Sequence, residues 1–223
     1  MNVSAEGWER LATAGAARSF DAGDVLLRQG DPAAYVLVLL AGRVKVLRTA
    51  PNGAVLILAI RGPGEILGDI SVLGGGDRSA TVVAIDSCET RAIPADRFLH
   101  LARSAGWETQ LLIRAMGRIR EGEAWRAEIA GLPAGPRLIQ ALLRFAASDP
   151  DASGPAASGP AASAVVTLGQ AELGQATGLA RSTVAAELAR LRRLGLVATS
   201  HHGIVITDLR GLTAMAGPGH EGV

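Results

Sequence analysis

A chain of 223 residues is long enough for two modest domains, each burying a core of its own. Its hydrophobic fraction of 48% and charged fraction of 19% exclude a disordered chain, and no run reaches the roughly 18 apolar residues a membrane helix needs. A net charge of only +1 means that any nucleic-acid surface must come from local clustering of basic residues. The start, MNVSAEGWERL, has no basic segment leading into an apolar run, which predicts a cytoplasmic protein without a secretory signal. Cys88 is the single cysteine, so an intrachain disulfide and sites built from several thiolates of one chain are excluded. It sits in a strand-like run with Thr90 and Ala92 and reads as a small core residue.

Residues 4–14 predict a short amphipathic helix. From Phe20 to about Pro94, short apolar runs alternate with glycine-centred turns: Val25–Leu27, Tyr35–Leu40, Val44–Leu47, Val55–Ile60 and Thr81–Ile85. This spacing predicts an antiparallel sandwich or small barrel, with Asn52-Gly53 as a hairpin turn. Phe98, Leu99 and Leu101 fit a short helix, and a longer one is predicted from Glu108 to Ile129. Leu112, Met116 and Ile119 stand on the longer helix at the four-and-three spacing of a helix–helix seam, which fails at its next positions, Glu123 and Arg126, with Gly122 alongside. Pro133 and Pro136 interrupt the pattern, and a new helix is expected over Arg137–Ala147. Residues 148–164 repeat ASGPA and read as a flexible loop. A helix at 170–177, a turn at Gly178, a helix at 181–194 and a hairpin around His201-His202-Gly203 together predict a winged helix-turn-helix.

The sharpest chemistry of the first half lies in Gly68-Asp69-Ile70-Ser71 and, ten residues on, Arg78-Ser79. A glycine turn followed by backbone N–H groups and a returning guanidinium makes a clamp suited to phosphate. The bland alternative for Arg78 is a surface salt bridge. With this cassette, the strings Arg28-Gln29-Gly30-Asp31-Pro32, Gly42-Arg43-Val44-Lys45-Val46 and Gly62-Pro63-Gly64-Glu65 make the chain resemble the cyclic-AMP receptor protein/fumarate–nitrate regulator (Crp/Fnr) family over roughly residues 8–216. The resemblance implies an α+β fold. A cyclic-nucleotide-binding-type β-barrel of jelly-roll form would span 1–107, a dimerisation helix 108–132, and a winged helix-turn-helix 133–223. It also implies that Gly68, Ile70, Ser71, Arg78 and Ser79 hold a cyclic phosphate, with Asp69 where nucleotide-binding members carry a glutamate for the ribose. The family's two base-recognition hydroxyls fall at Gly122 and Glu123, so both are missing here. Glu123 can accept from an amine on adenine or on a guanine edge, which leaves cyclic AMP as first choice and cyclic GMP or another ligand as alternatives.

The predicted second reading-head helix begins Arg181-Ser182-Thr183, residue types suited to guanine edges and phosphates. Arg190, Arg192, Arg193, His201 and His202 are candidates for contacts to the DNA backbone. The cyclic-AMP branch of the family carries an arginine–glutamate pair and a further arginine on this helix. Here those positions hold Arg181, Ser182 and Ala186, implying a different operator. The expectation is a homodimeric regulator of double-stranded DNA, with RNA polymerase as a further candidate partner. The competing expectation is a ligand-independent or protein-regulated repressor that uses the barrel as a dimerisation scaffold. No nucleophile–base pair and no metal-ligand cluster is legible, so no enzyme, catalytic residue, metal or obligatory cofactor is expected.

Overall fold

The computed structural model describes residues 5–147, 164–200 and 203–216. Its chain divides into two compact units, Met1–Ala124 and Trp125–Val223.

In the first unit, α1 (Ala5–Thr13) precedes β1 (Ala16–Phe20), β2 (Val25–Leu27), β3 (Tyr35–Ala41), β4 (Val44–Thr49), β5 (Val55–Arg61) and β6 (Ile66–Leu67). The short α2 (Asp69–Gly74), β7 (Thr81–Ala84), β8 (Cys88–Pro94), α3 (Ala95–Ser104) and α4 (Glu108–Ala130), whose residues from Trp125 on belong to the second unit, follow. The strands form two four-stranded sheets, β1-β8-β3-β6 and β2-β7-β4-β5, with every pairing antiparallel. Alternation along β3 explains the layering, because successive side chains of a strand point to opposite faces. Leu37 and Leu39 join Leu26, Leu27, Val44, Leu67 and Val82 in one core, while Val36 and Val38 join Leu11, Ile93, Phe98, Trp107 and Leu111 in another. Two of these strands, β1 and β6, escape the sequence pattern, whereas β8 is the strand-like run that begins at Cys88. Cys88 is buried, and its thiol, pushed up by burial and by Asp86, donates towards Arg43 O and Asp86 O.

α4 carries an exposed apolar stripe of Leu112, Ile113, Met116 and Ile119, each 47–62% exposed. Leu111 and Ala115 are buried on its other side.

In the second unit, α5 (Ala134–Ala147) leads to β9 (Ala164–Val166), α6 (Gln170–Thr177), α7 (Arg181–Arg193), β10 (Val197–Ser200), β11 (Gly203–Ile206) and α8 (Leu209–Met215). α5 starts three residues before the expected Arg137. Pro136 lies in its first turn, where a missing N–H costs nothing. Arg137 then ties the preceding turn down, donating to Ala130 O and Leu132 O. Ala164, expected in the loop, instead begins β9, which adds a third strand to the β10–β11 hairpin. The rest of the expected loop lies outside the described residues. Trp125 is buried, with the Arg144 guanidinium 4.8 Å from its ring centroid. Among the described residues, no helix is long and apolar enough to cross a membrane.

Candidate ligand site and reading head

Gly68 ends β6 and precedes α2 with φ +80°, a conformation that favours glycine. A Cβ there would run into the Arg78 guanidinium, so the glycine is required by the close approach as well as by the turn. Arg78 is 4% exposed. It donates through Nη1 to Gly68 O at 3.0 Å and through Nη2 to Tyr35 O. Burial pulls its pKa down, opposed by the influence of Tyr35 and Asp31. This is a held arginine inside the fold, not the surface salt bridge that was its bland alternative. Ser71 is buried, and its Oγ accepts from Ser79 N at 3.3 Å, closing the cassette on itself. Ile70 is half-buried, and Ser79 is exposed.

Asp69 is 1% exposed, and its carboxylate is engaged by Arg118 Nη2 of α4. Desolvation raises its pKa, with the Arg118 charge and hydrogen bond opposing and Arg114 adding a smaller opposing effect. Arg118 also donates to Ile66 O at 3.0 Å, and Arg114 donates to Gly64 O at 2.9 Å and Glu65 Oε2 at 2.8 Å. Further along α4, Glu121 meets Arg61 at 3.4 Å. A file of alternating charges thus fastens α4 to the segment between β5 and α2. The Nε of Arg118 is buried without a hydrogen-bond partner, which is unusual for a charged donor.

Sequence reasoning singled out Gly68, Asp69, Ile70, Ser71, Arg78 and Ser79, and these do lie together. It missed Tyr35, Arg114 and Arg118. The signal available for the last two was a pair of arginines four apart on α4, off the apolar stripe. Glu123 is exposed, in the heptad register of Leu112, Met116 and Ile119, whereas half-buried Gly122 follows Arg118 by one turn on the face towards the sheets.

In the second unit, Val184, Leu188 and Leu191 bury one face of α7, and Gly178 turns the chain from α6 with φ +70°. Gly174 lets the turn fold back closely on α6, since a Cβ there would sit 2.8 Å from Leu179 O. Arg181 and Ser182 are exposed at the start of α7, and Thr183 is half-buried. Arg190 Nε donates to Glu187 Oε2 at 2.8 Å, so this arginine is engaged within the helix. Arg192 and Arg193 are exposed; His201 and His202 lie outside the described residues.

Residues 17–105 match the family model of a cyclic nucleotide-binding domain, and residues 136–215 that of a Crp-like helix-turn-helix domain. The chain belongs to the Crp/Fnr family. The cyclic AMP receptor protein of Thermus thermophilus is 30% identical over 128 residues, 57% of this chain and 59% of that relative. A CRP-like cAMP-activated global transcriptional regulator of Mycobacterium tuberculosis is 32% identical over 78 residues, 35% of this chain and 34% of the relative. These matches span less than two thirds of either relative. Among solved structures, a CRP-family transcriptional regulator, also from Thermus thermophilus, superposes with a TM-score of 0.69 at 25% identity, covering 92% of this chain and 100% of that one. The α+β architecture of double sheet, long helix and winged helix-turn-helix is therefore that of Crp/Fnr proteins.

Proposed function

We propose that this Crp/Fnr protein is a cytoplasmic, homodimeric, DNA-binding transcription regulator without enzymatic activity, controlled by a cyclic nucleotide held at the Gly68–Ser79 cassette. The carrying observation is the match of residues 17–105 to a cyclic nucleotide-binding domain, within which the Arg78 guanidinium is held against the Gly68 turn. Arg78 would meet the cyclic phosphate, together with the Ile70 and Ser71 backbone and Ser79. Cyclic AMP is the first choice, in keeping with the names of its relatives, and cyclic GMP the second. Ligand can shift DNA affinity only through unequal binding to two arrangements of the protein, and α4, fastened to the cassette by Arg118 and to the adjoining Glu65 by Arg114, is the element through which such a bias would pass.

Calorimetric titration of the full chain tests the effector. Saturable binding of one of the two nucleotides is expected, weakened at least about 10-fold by Arg78→Lys, which loses the planar fork. Binding of neither would remove the effector.

A second reading, a ligand-independent repressor, is favoured by one observation. Two charged side chains of the cassette, Asp69 and Arg78, are already engaged within the protein. Failure of both titrations would select it.

Dimerisation would cover the Leu112–Met116–Ile119 stripe, with Glu123 next along it. Met116→Glu is expected to yield monomers in sedimentation velocity where the unmodified chain gives dimers. A variant that stays dimeric would move the interface elsewhere.

A further inference from the structure

Tyr35, the single tyrosine of the sequence, opens β3. Two guanidinium carbons lie within cation–π range of its ring, Arg18 at 5.4 Å and Arg78 at 5.2 Å from the centroid. They arrive from different places, Arg18 from β1 and Arg78 from the turn that precedes β7. The backbone carbonyl of Tyr35 also accepts from Arg78 Nη2. Meanwhile the main chain of Arg78 is fixed independently. Its N–H donates to Asp31 O at 2.8 Å, and its carbonyl accepts from Gly30 N at 2.9 Å. What the loop at 30–31 cannot fix is the direction of a long, rotamer-rich side chain, and that direction is set by Gly68 O, Tyr35 O and the Tyr35 ring.

We propose that Tyr35 is the positioning residue of the anion-binding arginine, its ring holding the Arg78 guanidinium so that a phosphate meets a cation already in place. The assignment rests on the reading of Arg78 as the phosphate ligand. A guanidinium has five N–H donors, and the two carbonyl contacts leave the others for an anion. An aromatic face is negatively polarised, so it can accept both guanidiniums at once; an aliphatic side chain would leave their mutual repulsion uncompensated. Ordering the cation before the ligand arrives removes an entropy cost from binding.

The test exploits the electrostatic origin of the contact. Tyr35 is replaced by phenylalanine and by mono-, di- and trifluorinated phenylalanines, which keep the ring while draining charge from its face. Affinity for cyclic AMP and for cyclic GMP is measured by calorimetry on the full chain, with the thermal midpoint as a record of packing. Phenylalanine should bind as the unmodified protein does. Each added fluorine should weaken whichever nucleotides bind, to about 10-fold at the trifluoro ring. Where both bind, the losses should be equal, because they share the cyclic phosphate, and the unfolding transition should stay single and cooperative, a sign that the ring still packs. A flat series, a rise in affinity, or a loss confined to one of two bound nucleotides would overturn the assignment. An unmodified chain that binds neither nucleotide removes the phosphate reading of Arg78, and this role of Tyr35 with it.

Discussion

Replacing Arg118 by leucine is expected to lower the unfolding free energy by about 3 kcal/mol near neutral pH, because it strands a buried carboxylate. Asp69 is 1% exposed and Arg118 is the charge that faces it, so no solvent takes over when the guanidinium is gone. Urea denaturation measures the loss. The Asp69→Leu/Arg118→Leu double variant should recover much of it, since an apolar pair of similar bulk carries no uncompensated charge. The pH dependence has a definite sign. Burial raises the Asp69 pKa in the folded protein, so the native state holds this proton more tightly than the unfolded chain does. Its contribution is therefore present at low pH and is lost as pH rises through the folded value. Removing Arg118 takes away the strongest influence opposing that rise, so the variant's deficit should be smaller in acid than near neutrality. A deficit below about 1 kcal/mol at neutral pH would mean that the pair behaves as an exposed one.

Arg181→Ala is expected to cut sequence-specific DNA affinity by about 10- to 100-fold per half-site while leaving non-specific binding little changed. The exposed guanidinium stands at the start of α7, the end that enters the major groove in helix-turn-helix proteins. Its neighbour Ser182 is short, and Ala186, one turn on and exposed, offers only a methyl group, so neither can take over a bidentate contact to guanine. A duplex selected from a random library, competed against random-sequence DNA in a fluorescence assay, separates the two affinities. Equal losses on both duplexes would make Arg181 a phosphate contact.

Much of this architecture was legible in the sequence, and the omissions have local reasons. The turns at Gly42, Asn52-Gly53 and Gly178 announce themselves, and the four-and-three spacing of Leu112, Met116 and Ile119 marks α4. β1 did not show, because Ala16–Phe20 is mostly exposed and lacks alternation; it is held by pairing with β8 at the edge of its sheet. β6 is two residues long and β9 three, too short for any period to appear. At the cassette, the glycine and arginine spacing is a local pattern and could be read. The partners of those residues could not, because Tyr35 and Arg118 lie 43 and 49 positions away from the groups they engage. Glu123, the candidate base-recognition residue, is exposed in the register of the α4 stripe.

β3 serves two cores at once, with Val36 and Val38 on one side and Leu37 and Leu39 on the other, all fully buried. Neither the helices nor the second sheet can peel away without uncovering the same strand, so the first unit should open as one cooperative block rather than face by face. Tyr35 begins that strand, and its Leu39 exchanges backbone hydrogen bonds with Gly64 and Glu65, next to the cassette. A disturbance at the cassette is thereby delivered to the least yielding strand of the unit. The strain would sooner be passed on along α4 than dissipated by local melting.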